Sequence, residues 1–159
     1  MLVAVVLALS LVMLTFSFHF TVLRWLSGGM AGIAMSPSVR ILIIVLTALS
    51  AHIVEIGLYA AAYALGDGVL GLGRFGGAHS AVPLDYLYFS IVSYTSLGLG
   101  DVFPNGHLRF ITGIEALNGL LLIAWSGSFI YIAMGRLWPW RACAEPELAT
   151  AYTDAQKIL

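Results

Sequence analysis

Two glycines at alternate positions punctuate a short run, Thr95-Ser96-Leu97-Gly98-Leu99-Gly100-Asp101. Glycine sets its carbonyl at backbone angles that a side chain forbids. Successive carbonyls can then point the same way, into a file that replaces the water shell of a cation. The chemistry on offer is dehydration and passage of an ion, with no bond made or broken. The run sits between two long apolar segments, just after an amphipathic stretch too short to cross a bilayer. Polar, glycine-rich backbone at membrane depth is tolerated only under protein cover or beside water.

The composition places these residues in a membrane. Of 159 residues, 60% are hydrophobic and 9% charged, against roughly 25% charged in soluble domains. A net charge of −1 offers no basic field, so no nucleic-acid partner is expected. The lone Cys143 cannot form an intrachain disulfide. The chain reads as an all-α membrane protein. A span needs ~20 apolar helical residues, and three segments meet that: residues 2–26, 40–65 and 107–137. The first carries no charge before Arg24 and lacks the positive n-region and cleavage site of a secretory signal. It is read as a retained, additional N-terminal helix over residues 1–26. The core unit covers 40–137, and 138–159 form a short tail.

Glycines make residues 66–79 a flexible connection by expectation. Residues 83–94 predict a helix, with Pro83 suited to its first turn and Asp85 complementing its positive end. Twelve helical residues span ~18 Å, too short to cross. A half-crossing helix that returns through the glycine run explains the length, and its C-terminal partial charge would stabilise a cation. Arg24, Arg40, Arg136, Arg141 and Lys157 fall on one side, Arg74 and Arg109 on the other. That asymmetry places the first connection and the C-terminus in the cytoplasm and the N-terminus outside, in a multi-pass protein of the cell (inner) membrane. Trp25, Trp138 and Trp140 are read as anchors at the cytoplasmic interface.

From Tyr88 to Pro104 the sequence YFSIVSYTSLGLGDVFP resembles the pore helix, selectivity filter and post-filter turn of tetrameric potassium channels. Ser96-Leu97-Gly98-Leu99-Gly100 stands where that family has TVGYG. The resemblance covers about residues 40–137. It implies a homotetramer whose filter (Thr95 to Gly100) binds potassium on the backbone carbonyls of Ser96, Leu97, Gly98 and Leu99, with Asp101 at the mouth. No cofactor beyond those ions is implied. Serine replaces the filter threonine, and leucine replaces valine at 97 and tyrosine at 99, which removes a bracing hydroxyl. The family spacing makes Gly119 a gating hinge, with Gly127 a second candidate. Leu120, Ile123, Gly127 and Tyr131 recur at helical intervals and would line an inner cavity. For these positions the alternative is helix packing.

Two further sets of polar residues stand inside the spans. His52 and Glu55 share a helix face. They read first as a hydrogen-bonded pair packing the first helix against the second. The alternative is a proton-sensitive switch or half of a metal site, for which two ligands are too few. Glu115 is expected to brace the pore helix through Ser90, Ser93 or Thr95, with Asn118 in the same network, or else to concentrate cations. His19, His79 and His107 show no ligand spacing and are given no role. Arg109 pairs with Asp101 or Asp85, or is simply solvated.

Three functions compete on these residues. The first is a homotetrameric potassium channel without a voltage sensor, since no arginine-repeat helix is present. The second is a weakly selective or sodium-permeable pore, motivated by residues 96, 97 and 99. The third is a non-conducting membrane sensor, scaffold or enzyme component, against which stands the lack of any nucleophile–base constellation. Lipid, or an unidentified regulatory subunit, is the expected neighbour of the first helix.

Overall fold

Lipid offers no partner to a main-chain N–H, so apolar chain at membrane depth coils into helix. The computed structural model describes residues 1–29, 35–78 and 82–138. In chain order it contains α1 (Leu2–Gly29), α2 (Pro37–Gly68), β1 (Phe75–Gly77), α3 (Pro83–Tyr94), β2 (Val102–Pro104) and α4 (Leu108–Leu137). The helices α1, α2 and α4 are long and apolar enough to cross a membrane. Gly32, His79, Trp140, Arg141, Cys143 and Lys157, and with them the tail from residue 139, lie outside the described residues.

Local signals set most boundaries. Ser36 caps α2 by accepting from the Val39 N–H, and Pro37 occupies the first turn. The helix therefore begins before residue 40, where the run of apolar residues starts. It continues to Gly68, and α1 continues to Gly29, both past the last strongly apolar residue. The short helix α3 spans Pro83–Tyr94, with Asp85 in its first turn.

Helix α1 packs on α4 and α2, and α3 sits between α2 and α4. The buried side of α1 is a stripe of Ala4, Ala8, Leu11, Thr15, His19, Leu23 and Leu26. Its spacing of three and four residues is that of one helix face. The stripe holds small and polar residues while Val6, Leu9, Met13 and Phe20 face outward. This inversion suits lipid, where apolar burial gains little and close packing or hydrogen bonding selects the interface. Tyr63, Phe75, Tyr86 and Phe89 form an edge-to-face aromatic cluster with centroids 4.9–5.6 Å apart. It fixes α3 against α2.

The glycine-rich connection differs from expectation. Its middle is ordered, with β1 pairing antiparallel to β2 and Gly76 opposite Phe103. A Cβ on Gly77 would lie 2.0 Å from the Asp101 carbonyl oxygen, and Gly77 itself has φ +87°. Glycine there serves close approach of two strands, which composition alone reads as looseness.

Candidate functional site

The glycine run emerges from the C-terminal end of α3 through a Schellman turn. The Ser96 N–H donates to the Ser93 carbonyl and the Leu97 N–H to the Val92 carbonyl, both at 2.9 Å. The residue that turns left-handed is Ser96, at φ +57°, where glycine is usual. Gly98 and Gly100 follow at φ +61° and +79°. Left-handed backbone therefore recurs at every second residue, which is the alternation that aims consecutive carbonyls to one side.

The described residues leave this loop bare. Leu97 and Leu99 are 63% and 58% exposed, and Thr95, Ser96, Gly98, Gly100 and Asp101 are exposed too. Tyr88 Oη donates to Asp101 Oδ2 at 2.7 Å. That hydrogen bond is the main reason the Asp101 carboxyl is held below the ordinary carboxylate range. Among the described residues Asp101 makes no ion pair with Arg109, contrary to one expected arrangement.

Behind the loop the polar side chains form two buried sets. Glu115 accepts from Ser90 Oγ at 2.6 Å and from the Tyr63 hydroxyl. Ser90 also lies 2.9 Å from the Ile56 carbonyl. Of the two residues expected to brace the loop, Glu115 reaches α3, at Ser90. Among the described hydrogen bonds Ser93 contributes main chain only. Asn118 donates to Thr15 Oγ1 at 2.8 Å and to Tyr59 Oη at 3.0 Å, tying α4 to α1 and α2.

The second set is centred on Glu55. Tyr94 Oη donates to Glu55 Oε2 at 2.5 Å. His52 Nδ1 lies 3.1 Å from the same oxygen and 2.9 Å from Tyr94 Oη. His19, given no role from sequence, is buried here, with Nδ1 2.8 Å from Glu55 Oε1 and Nε2 3.0 Å from Ser126 Oγ. Its ring packs 5.6 Å from that of Trp125. The sequence reading counted two ligand-type residues, and the fold assembles three from two helices. The overlooked signal was positional: His19 sits four residues after Thr15 on the stripe begun by Ala4, Ala8 and Leu11.

Gly119 meets the end of α3. A Cβ there would stand 2.2 Å from the Tyr94 carbonyl oxygen and 2.9 Å from Tyr94 Cγ. The helix α4 runs unbroken through Gly119 and Gly127, and a Cβ on Gly127 would meet nothing within 4 Å among the described residues. Gly119 thus has a packing requirement in this conformation, a demand the hinge reading did not contain. Leu120, Ile123 and Tyr131 are exposed.

A family model described as an ion channel matches residues 41–136, more than half of the chain. No curated protein and no solved structure matches. The match spans α2, the short α3, the glycine loop and nearly all of α4, leaving α1 outside. The chain belongs to this ion-channel family, and residues 41–136 are its pore domain.

Proposed function

We propose that this ion-channel family member assembles as a homotetramer and conducts potassium passively through a filter built from Thr95 to Gly100. One observation carries the reading. Left-handed backbone recurs at Ser96, Gly98 and Gly100 on a loop that none of the described residues covers. A single loop lines only one side of a path, and four around an axis would enclose it. The carbonyls of Ser96, Leu97, Gly98 and Leu99, with the Ser96 hydroxyl, would replace ion hydration. Thr95 begins the loop at the end of α3. Four Asp101 carboxylates at the mouth would raise the local cation concentration.

The inner path would be lined by Leu120, Ile123 and Tyr131, with Gly119 or Gly127 as the point where α4 bends. Glu115 and Glu55 would hold α3, and so the filter, at fixed depth. Arg24, Arg40 and Arg136 put the C-terminal end of α4 in the cytoplasm and the N-terminus outside. The bound potassium is cargo.

Leu99 favours a second reading. It is exposed and offers no hydroxyl to brace the loop, so a filter that admits sodium is the alternative. Bi-ionic reversal potentials in liposomes separate the two. A shift on replacing potassium by sodium supports potassium selectivity, and no shift supports the second reading. Native mass spectrometry showing a particle of other than four chains would overturn the tetrameric pore.

A further inference from the structure

His19, His52 and Glu55 bring their ligand atoms within 4.8 Å of one another. His19 Nδ1 lies 2.8 Å from Glu55 Oε1 and His52 Nδ1 3.1 Å from Oε2, hydrogen-bond distances that need open only slightly to reach the ~3.3 Å edge of a coordination tetrahedron with bonds of ~2.0–2.1 Å. We propose that these three side chains form a binding site for a divalent transition-metal ion of the zinc class. Two imidazoles and one carboxylate suit zinc, cobalt or nickel, whereas magnesium and calcium take oxygen ligands.

The surroundings fit that use. Ser126 Oγ, on α4, lies 3.0 Å from His19 Nε2. A hydroxyl both accepts and donates, so it can take the Nε2–H when Nδ1 gives its lone pair to a metal. Metal-bound histidines are usually oriented through their other nitrogen in this way. Tyr94 Oη, within hydrogen-bond distance of both Glu55 and His52, stands beside the fourth position. His19 and Glu55 are fully buried, and His52 is 14% exposed. The groups facing the cluster are His19 from α1, Tyr94 from α3 and Trp125 and Ser126 from α4.

A consequence for conduction rests on the function proposed above. A bound dication exceeds the single charge of Glu55, leaving a fixed positive charge next to Tyr94, the last residue of α3. It also competes with Tyr94 for Glu55. Both effects oppose a permeant cation at the inner end of the filter, so the ion would inhibit.

The test uses the full-length, tag-free chain in detergent, titrated with Co2+ alone as a spectroscopic probe. The expected result is one ion per chain with four-coordinate ligand-field bands, displaced by Zn2+. Affinity should fall at least tenfold in both His19→Gln and His52→Gln and stay unchanged in His107→Gln. X-ray absorption on the zinc-loaded wild-type protein should show two imidazoles and at least one oxygen, a measurement that needs no variant to fold. An oxygen-only shell, or binding unaffected by both substitutions, overturns the site. In liposomes Zn2+ should slow potassium flux in the wild type and spare His52→Gln. Stoichiometric binding with no flux even in metal-free, chelator-treated liposomes leaves the site standing and refutes conduction, whereas normal flux without binding does the reverse.

Discussion

Gly119→Ala places a methyl carbon 2.2 Å from the Tyr94 carbonyl oxygen and 3.0 Å from its carbonyl carbon. Ordinary carbon–oxygen contact is ~3.3 Å or more, so α4 and the end of α3 must separate by about 1 Å. Overpacking of this kind costs about 1–3 kcal/mol. The intrinsic helix preference of alanine over glycine returns ~1 kcal/mol. A net loss of up to about 2 kcal/mol is therefore expected, read as a lower unfolding midpoint in detergent. The strain falls on the residue from which the glycine loop departs, so potassium over sodium selectivity should fall in the same variant. Gly127→Ala is the control, since its methyl meets nothing among the described residues. It should be neutral or stabilising by up to ~1 kcal/mol. If Gly119 matters only as a flexible point, Gly119→Ala will be at least as stable as wild type, with altered open probability and intact selectivity. That outcome would refute the packing argument.

Other perturbations have equally definite signs. Tyr88→Phe removes the main donor holding the Asp101 carboxyl low. The charged form loses support, its pKa rises, and block of cation flux by external protons should begin at a higher pH than in wild type. An unchanged proton-block midpoint would show that Asp101 does not set the cation supply. Ser96→Gly relieves a left-handed non-glycine residue and should add ~1 kcal/mol of stability, while loss of the hydroxyl weakens ion selectivity. A thermal midpoint at or below wild type would contradict the Schellman assignment. Glu115→Gln keeps shape but weakens two hydrogen bonds, from Ser90 and Tyr63. It should cost about 1–3 kcal/mol and shorten open-state lifetime, and wild-type values for both would remove Glu115 as the brace of α3.

The helices were readable because each carries its own signal. Pro83, Asp85 and the short run to Tyr94 define α3 with no help from the rest of the chain. The β1–β2 ribbon was not readable. Three-residue strands have no periodicity to detect, and this pair forms between segments more than twenty residues apart, with Phe75 opposite Pro104. The glycine loop was legible at Gly98 and Gly100, whose residue type announces positive φ. It was hidden at Ser96, where the fold imposes that angle on an ordinary side chain. The Glu55 set was half legible. His52 and Glu55 declare each other by spacing, but His19 joins them from another helix. The polar residues of α1 fall on both its buried and its exposed sides, as with Thr15 and Ser10, so no amphipathic contrast says which side turns inward.

The polar contacts of α1 reach far along the chain. Thr15 meets Asn118 at a separation of 103 residues, and His19 meets Ser126 at 107. During synthesis α1 enters the bilayer long before α4 leaves the ribosome. The His19 imidazole can meet Glu55 as soon as α2 follows, but its Nε2 and the Thr15 hydroxyl must wait for Ser126 and Asn118 of α4. Membrane insertion of this chain therefore reaches its final energy only when the last span arrives, and a nascent protein stalled before residue 118 lacks the hydrogen bonds that tie its first segment to its last.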